Sequence, residues 1–400
     1  MHDMDTDEDQ AELRSGATPD TSIPPGARRF PCVNCGGPLL FMPGTTHLKC
    51  PYCGTENDIP LDAGDDSYLR ENDFLEALEK EEKTQADSPE SGQETEAVRC
   101  ANCGAVTTIT PEITSDLCPY CGSPLAMQNH FTFKLNVQAV LPFAIDGEKA
   151  KQLYRDWVSS RWFAPNDFKR RATRGEAMKG VYMPYWTYDS ETKTWYTGQR
   201  GDAYYTTEMV NVTRNGKSRL ESRRVRRIRW SSASGHVQVF FDDVLVPASH
   251  SLPGHLQDGL EPWQLQKLQP FRQEFLSGFV TETYQLKLRE GFDEAKTRME
   301  PGIDSAIRQD IGGDEQRINS KQTEYSKTTF KHILLPVWLS AYAYNNETYR
   351  FVINAQTGEV SGDRPWSVWK IAAAVVAGLA VAGTLYYLFT ASGGMNEFYY

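Results

Sequence analysis

The 400-residue chain carries a formal charge of −11, enough length for two to three domains and the wrong sign for an overall basic nucleic-acid binder. The acidity is local. Residues 1–29 hold seven acids and three bases (net −4), residues 54–99 hold fifteen and four (net −11), and the remainder is therefore +4.

Residues 1–29 are polar and acidic, the composition of a disordered tail with no signal peptide. All eight cysteines follow in one pattern written twice. Cys32-Val-Asn-Cys35 precedes Cys50-Pro-Tyr-Cys53 by fourteen residues, and Cys100-Ala-Asn-Cys103 precedes Cys118-Pro-Tyr-Cys121 by the same gap. The second set lies 68 positions after the first, with Gly36 matched by Gly104 and Gly54 by Gly122. Each C-x2-C turn converges two thiolates on one cation, and two turns complete a tetrahedral shell. Faithful duplication at this spacing favours metal over disulfides. Four thiolates leave no open position, so each set predicts a closed structural site for Zn2+, two per chain. Iron in a rubredoxin-like knuckle is the runner-up, and the short gap suits a zinc ribbon better. About thirty residues cannot bury enough core to fold without the metal. His47 reads as a surface residue beside a complete ligand set.

The linker between the two sets is acidic. One helical stretch carries Tyr68, Leu69, Phe74, Leu75 and Leu78 and reads as solvated rather than docked. Beyond Phe131 the composition turns globular. Asp146 caps a helix with Leu153, Tyr154, Trp157 and Val158 on one face. A second helical region is expected from Glu261 to Arg298, broken near Pro270 and Gly278. Strands are expected over 180–196, 203–212, 237–246 and 330–360, with a hairpin at Asn345-Asn346.

Tyr182-Met-Pro-Tyr-Trp186 and Leu334-Leu-Pro-Val-Trp338 place a Pro-x-Trp unit 152 residues apart. Both run toward a threonine–glycine turn, at Thr197-Gly198 and Thr357-Gly358, as two related β lobes would.

Lys217, Arg219, Arg223, Arg224, Arg226, Arg227 and Arg229 are opposed only by Glu221. They read as a solvated edge strand, with a phosphate-contacting strand or an anionic-lipid contact as the functional alternative. No nucleotide-binding, zincin or hydrolase motif is present. His250, His255, Asp242 and Asp243 form the one loose acid–base constellation, and incidental loop histidines are the simpler reading.

Ile371–Phe389 is nineteen residues without a charge, about 28 Å of helix against a ~30 Å hydrocarbon core. Trp366, Trp369, Tyr386 and Tyr387 flank it as aromatic belts do, and Arg364 with Lys370 predicts a cytoplasmic N-terminal side.

The paired ribbons resemble a family of bacterial membrane-anchored zinc-ribbon proteins. So do Gly180-Val-Tyr-Met-Pro-Tyr-Trp-Thr-Tyr-Asp189, Tyr196-Thr-Gly-Gln-Arg-Gly201, Lys331-His-Ile-Leu-Leu-Pro-Val-Trp338 and Tyr349-Arg-Phe-Val-Ile-Asn-Ala-Gln-Thr-Gly358. Members carry labels from the zinc ribbon of the primosomal replication helicase or from transcription-factor-IIB-type ribbons. The resemblance implies the eight cysteine ligands and an otherwise undefined function.

The expected protein is α+β: two small four-cysteine zinc ribbons, a mixed α+β cytoplasmic domain and one C-terminal transmembrane helix. Its segments are a tail (1–29), ribbon 1 (30–60), an acidic linker (61–98), ribbon 2 (99–128), the α+β domain (129–365), the anchor (366–390) and an external tail (391–400). Catalytic residues are not expected. The leading function is a non-catalytic scaffold for a cytoplasmic protein partner at the bacterial inner membrane. The alternatives are a nucleic-acid-binding accessory protein and an enzyme subunit with its site in residues 131–365.

Overall fold

The computed structural model describes residues 30–60, 67–84, 93–100, 102–108, 118, 120–121, 123, 130–135, 137–172, 178–214, 217–344 and 347–393. The tails at 1–29 and 394–400 lie outside the described residues, as does the Asn345-Asn346 pair.

The first cysteine module is a four-stranded sheet in chain order, β1 (Phe30–Pro31), β2 (Pro38–Phe41), β3 (His47–Lys49) and β4 (Glu56–Asp58). After it come β5 (Asn72–Asp73) and helix α1 (Phe74–Thr84). The second module is built from β6 (Gln93–Arg99), β7 (Val106–Thr108) and β8 (His130–Leu135), in the order β7-β6-β8.

The body follows as β9 (Ala139–Val140), α2 (Gly147–Ser160), α3 (Asn166–Ala172), β10 (Lys179–Arg214), β11 (Lys217–Pro247), α4 (Gly254–Asp258), β12 (Gln269–Pro270), β13 (Val280–Thr281), α5 (Leu288–Ile311), β14 (Glu315–Tyr344), β15 (Glu347–Asn354) and β16 (Val360–Gly362). Its sheet has the main order β11-β10-β14-β15-β16, all antiparallel. α6 (Val368–Gly393) ends the described chain.

α2 starts where the sequence puts it. Asp146 Oδ1 accepts the Lys149 backbone N–H at 2.7 Å, and Ala150, Tyr154 and Val158, four residues apart, are buried. The second helical region is corrected. Residues 261–287 form short 3-10 turns and two-residue strands, and the long helix is α5, which runs thirteen residues past Arg298 to Ile311. Its stripe of Leu288, Phe292, Ala295, Met299, Ile303, Ile307 and Ile311 is buried against the β10–β11 ribbon, in one cluster with Trp186, Tyr188 and Val246.

The strands are also longer than their local patterns. β10 runs unbroken through Thr197-Gly198, which is no turn: the register shifts there against β14, and a Cβ on Gly198 would lie 2.4 Å from the Arg317 carbonyl oxygen. This glycine serves a close strand approach. Thr357-Gly358 is a true turn, with Gly358 at φ +87°.

The Pro-x-Trp echo reflects a two-fold arrangement in the body. The two segments pair with each other, Tyr182 opposite Pro336 and Pro184 opposite Leu334, about an axis at the Met183–Leu335 pair. Each half supplies a short strand that pairs parallel with the other half's long strand: β13 with Val181 and Tyr182, β9 with Ile333 and Leu334. Trp186 Nε1 donates to the Leu286 carbonyl and Trp338 Nε1 to the Ile145 carbonyl, each just ahead of a helix. Ala248 donates to Pro184 and Ala355 to Pro336. The carbonyl of each alanine then takes two consecutive N–H groups, Gln285 and Leu286 or Ala144 and Ile145. The halves are thus β9-α2-β10-β11 and β13-α5-β14-β15, with α3 added to the first.

One expectation about the linker changes. Phe74 at the start of α1 is buried among Tyr188 and Phe292, so this helix is docked. Among the described residues the two cysteine modules share no apolar cluster with each other, yet each shares one with the body.

α6 presents no buried residue over Val368–Phe389 and is long and apolar enough to cross a membrane.

Candidate metal centres

Each knuckle is folded by its own backbone. Gly36 N–H donates to the Cys32 carbonyl and Gly54 N–H to Cys50, with both glycines at positive φ. Cys32 and Cys50 in turn donate to Gly37 and Thr55. The second module repeats this with Gly104 and Ala105 on Cys100, and with Ser123 accepting from Cys118. Positive φ is the physical reason for glycine after the second cysteine of the pair.

The sulfurs converge. Cys32–Cys53 and Cys35–Cys50 are 3.6 and 3.5 Å apart, and Cys100–Cys121 and Cys103–Cys118 are both 3.6 Å. Within each set all four lie within 4.8 Å of one another. A disulfide needs ~2.05 Å, whereas a tetrahedron with Zn–S of ~2.3 Å has edges of about 3.8 Å. The donor set therefore fits zinc in both modules, with four soft ligands and no open position.

The thiols divide within each set: hydrogen bonds hold Cys32, Cys53 and Cys103 low, whereas Cys35, Cys100 and Cys118 are pushed up. A hydrogen bond from the Thr55 hydroxyl holds Cys53 down to about 6. A hydrogen bond from Cys118 holds Cys103 down to about 5, while Cys118, whose proton that bond uses, is pushed up. A divalent cation replaces such shared protons and releases them.

The modules are seated on the body differently. In the first, Phe41 N–H donates to Ser277, Gly44 N–H to Phe143, and the Ser277 hydroxyl to Leu39. The Phe41 ring meets Phe275 and Phe279 edge-on. In the second, Thr107 bridges to Glu282, and Thr283 N–H donates to Val106. The Tyr120 hydroxyl donates to Glu282 Oε2 at 2.6 Å, and the Ser251 hydroxyl donates to Oε1. Burial pushes Glu282 up to about 7, against the lowering effect of those hydroxyls.

A third group, Glu71, Asp189 and Asp243, also converges. Its cation is already present. Lys331 Nζ lies 2.9 Å from Glu71 and 3.0 Å from Asp243, Thr329 donates to Glu71, and Asp243 N–H donates to Asp189 at 2.7 Å. These residues fasten β5 and α1 onto β14 through Asn72 and Asp73, which pair with Phe330 and Thr329.

Among the described residues no histidine joins these groups. His47 pairs with Asp58. His255 lies 2.9 Å from Asp363 and His250 is exposed, so the His250–His255–Asp242–Asp243 constellation is not assembled. Sequence reading missed Glu71, Asp189, Glu282 and Lys331, because only tertiary pairing gives these charges their burial and partners.

The basic segment lies on β11, at the open edge of the main sheet. Beyond the Gly201–Glu315 pair, β14 ends and β10 and β11 continue as a two-stranded arm. Arg219, Arg223, Arg224, Arg226, Arg227 and Arg229 are exposed along it. Arg227 pairs with Glu208, Arg226 with Glu315, and Arg224 covers the Tyr205 ring at 4.3 Å.

No family profile matches the chain, and no solved structure does. The chain is similar to the "Uncharacterized protein YdjG" of Bacillus subtilis (strain 168), at 27% identity over 345 residues, covering 86% of this chain and 92% of that protein.

Proposed function

We propose that this is a non-catalytic, membrane-anchored zinc-ribbon protein that presents a rigid ribbon surface to a cytoplasmic protein partner. The observation that carries the reading is the pair of four-sulfur groups, closed in ligand count and seated on one body. Closed tetrathiolate zinc supports folding and offers no site for substrate or activated water. The first module leaves Val33 and Tyr52 exposed at its knuckles, an apolar tip suited to a partner surface. α6 supplies the anchor, and Arg364 with Lys370 orients the body toward the cytoplasm. A photoreactive residue in place of Tyr52, in the full chain in cells, tests this. One discrete protein adduct, lost when Cys35→Ser opens the first site, is expected. Absence of any adduct contradicts the scaffold role.

The arm favours a second reading, nucleic-acid binding, since a two-stranded ribbon with arginines and stacked tyrosine suits phosphates and bases. Mobility shift across salt concentrations separates it: retardation that weakens with salt and vanishes in an Arg219/Arg223/Arg224→Gln variant supports it. Absence of retardation at micromolar protein removes it.

A further inference from the structure

The apolar helix does not hang from a loose tether. Ser367 N–H donates to the Phe163 carbonyl at 2.8 Å. Lys370 Nζ donates to the carbonyls of Trp162 (3.2 Å) and Ala164 (2.8 Å) and to Asn166 Oδ1 (2.7 Å). The Phe163 and Trp366 rings are 6.4 Å apart. The corner between α2 and α3 is thereby fixed at the first turn of α6.

Four cations gather there. Arg161 donates to the Trp157 carbonyl and covers the Trp157 ring, Arg364 covers the Trp366 ring at 4.4 Å, and Lys169 donates to Ser159. Lys370 is the fourth. The contacts of Arg161, Arg364 and Lys370 are carbonyls, an amide oxygen and ring faces, and among the described residues no carboxylate bridges them. The acids closest in sequence are engaged elsewhere: Asp363, next to Arg364, with His255, Asp156 with Gln152, and Asp167 with Arg170. Like charges are felt: burial and then Arg364 push Arg161 down, and burial and then Lys370 push Lys169 down. Around the cluster Trp162 is 78% and Trp369 86% exposed. Tryptophan prefers the headgroup level of a bilayer, and the first turn of a spanning helix sits at that level.

We infer that the α2–α3 corner and the foot of α6 form a binding site for the headgroup phosphate of an anionic phospholipid, with Arg161, Arg364, Lys169 and Lys370 as cationic partners and Trp162 and Trp369 as interfacial anchors. The inference rests on the membrane reading of α6. It goes further, because the lipid then fixes how the body and its ribbons stand on the membrane. Continuity with the apolar helix, and the lack among the described residues of a carboxylate bridging Arg161, Arg364 or Lys370, select a lipid over a soluble anion.

The test uses the full zinc-loaded chain in nanodiscs of phosphatidylcholine containing about 10 mol% of either brominated phosphatidylglycerol or brominated phosphatidylcholine, with tryptophan quenching as readout. A surface cation contributes about a five-fold preference for anionic lipid, so quenching should favour the brominated phosphatidylglycerol several-fold. Arg161→Gln/Arg364→Gln should lose most of that preference, and Arg364→Gln alone, which lies outside the packed helices, about five-fold of it. Equal quenching by both lipids, or an unchanged preference in the variants, overturns the site while leaving α6 in the bilayer. Quenching by neither lipid overturns the membrane reading itself.

Discussion

The Tyr120 hydroxyl donates to the buried carboxyl of Glu282 at 2.6 Å, joining the second cysteine knuckle to the residue that follows β13. Tyr52 holds the same place in the first Cys-Pro-Tyr-Cys and is 69% exposed, against 0% for Tyr120. One sequence motif therefore serves two ends: Tyr120 closes an interior contact, and Tyr52 faces outward.

Tyr120→Phe should destabilise the zinc-loaded protein by about 1–3 kcal/mol, since Glu282 loses a donor it cannot replace with water. Tyr52→Phe should fall within about 0.5 kcal/mol of the parent. Urea unfolding of both variants checks the contrast, and equal effects would contradict the different seating of the modules.

The Asp189–Glu71 contact predicts a pH dependence with a definite sign. Burial first, and then the proton shared with Glu71, push Asp189 from 3.8 up to about 7. Burial acts on Glu71 in the same direction, but hydrogen bonds from Asp189, Thr329 and Lys331 outweigh it and hold Glu71 low. Between about pH 4 and 7 the folded Asp189 keeps a proton that the unfolded chain has released, so its contribution falls as pH rises through that window. The Glu71 contribution runs the other way and is lost as pH falls below its ordinary range. Asp189→Asn keeps a donor toward Glu71 and removes the charge. It should stabilise by on the order of 1–2 kcal/mol at pH 8 and change little at pH 5. Thermal unfolding at the two pH values checks this, and a variant less stable at pH 8 contradicts it.

The two-fold in the body predicts matched costs. Trp186→Phe and Trp338→Phe each remove an indole N–H from a carbonyl ahead of a helix, at 3.1 and 2.8 Å. Each should cost about 1–3 kcal/mol, and the double variant should show their sum within about 0.5 kcal/mol, the sites being well separated. A large coupling energy would contradict the separation.

How much of this was legible varies with the range of the interaction that decides it. The ligand sets, the Asp146 cap and the Pro-x-Trp echo are local signals, and each falls where its spacing puts it. The length of β10 and β11 is not local: it comes from twenty-nine matched pairs between the two strands, over a stretch whose alternation is too polar to mark a strand. Pro301 obscured α5, because a proline inside a helix removes a hydrogen bond. The buried stripe continues past it through Ile303 and Ile307 and outweighs that loss. Phe74 read as solvated because nothing in its own helix reveals the Tyr188 and Phe292 rings that it packs against.

Phe74→Ala should release α1 from the body at a cost of about 3–5 kcal/mol. Hydrogen exchange of residues 74–84 measures it. Protection equal to the parent would contradict docking.

The central claim is two closed zinc sites on one body, and metal content tests it most directly. Elemental analysis of the full chain purified in detergent should give two zinc ions per chain, falling to one in Cys35→Ser and to one in Cys103→Ser, because losing one thiolate opens each four-sulfur shell. A parent value of one metal per chain, or iron with its visible absorption in place of zinc, would contradict the account.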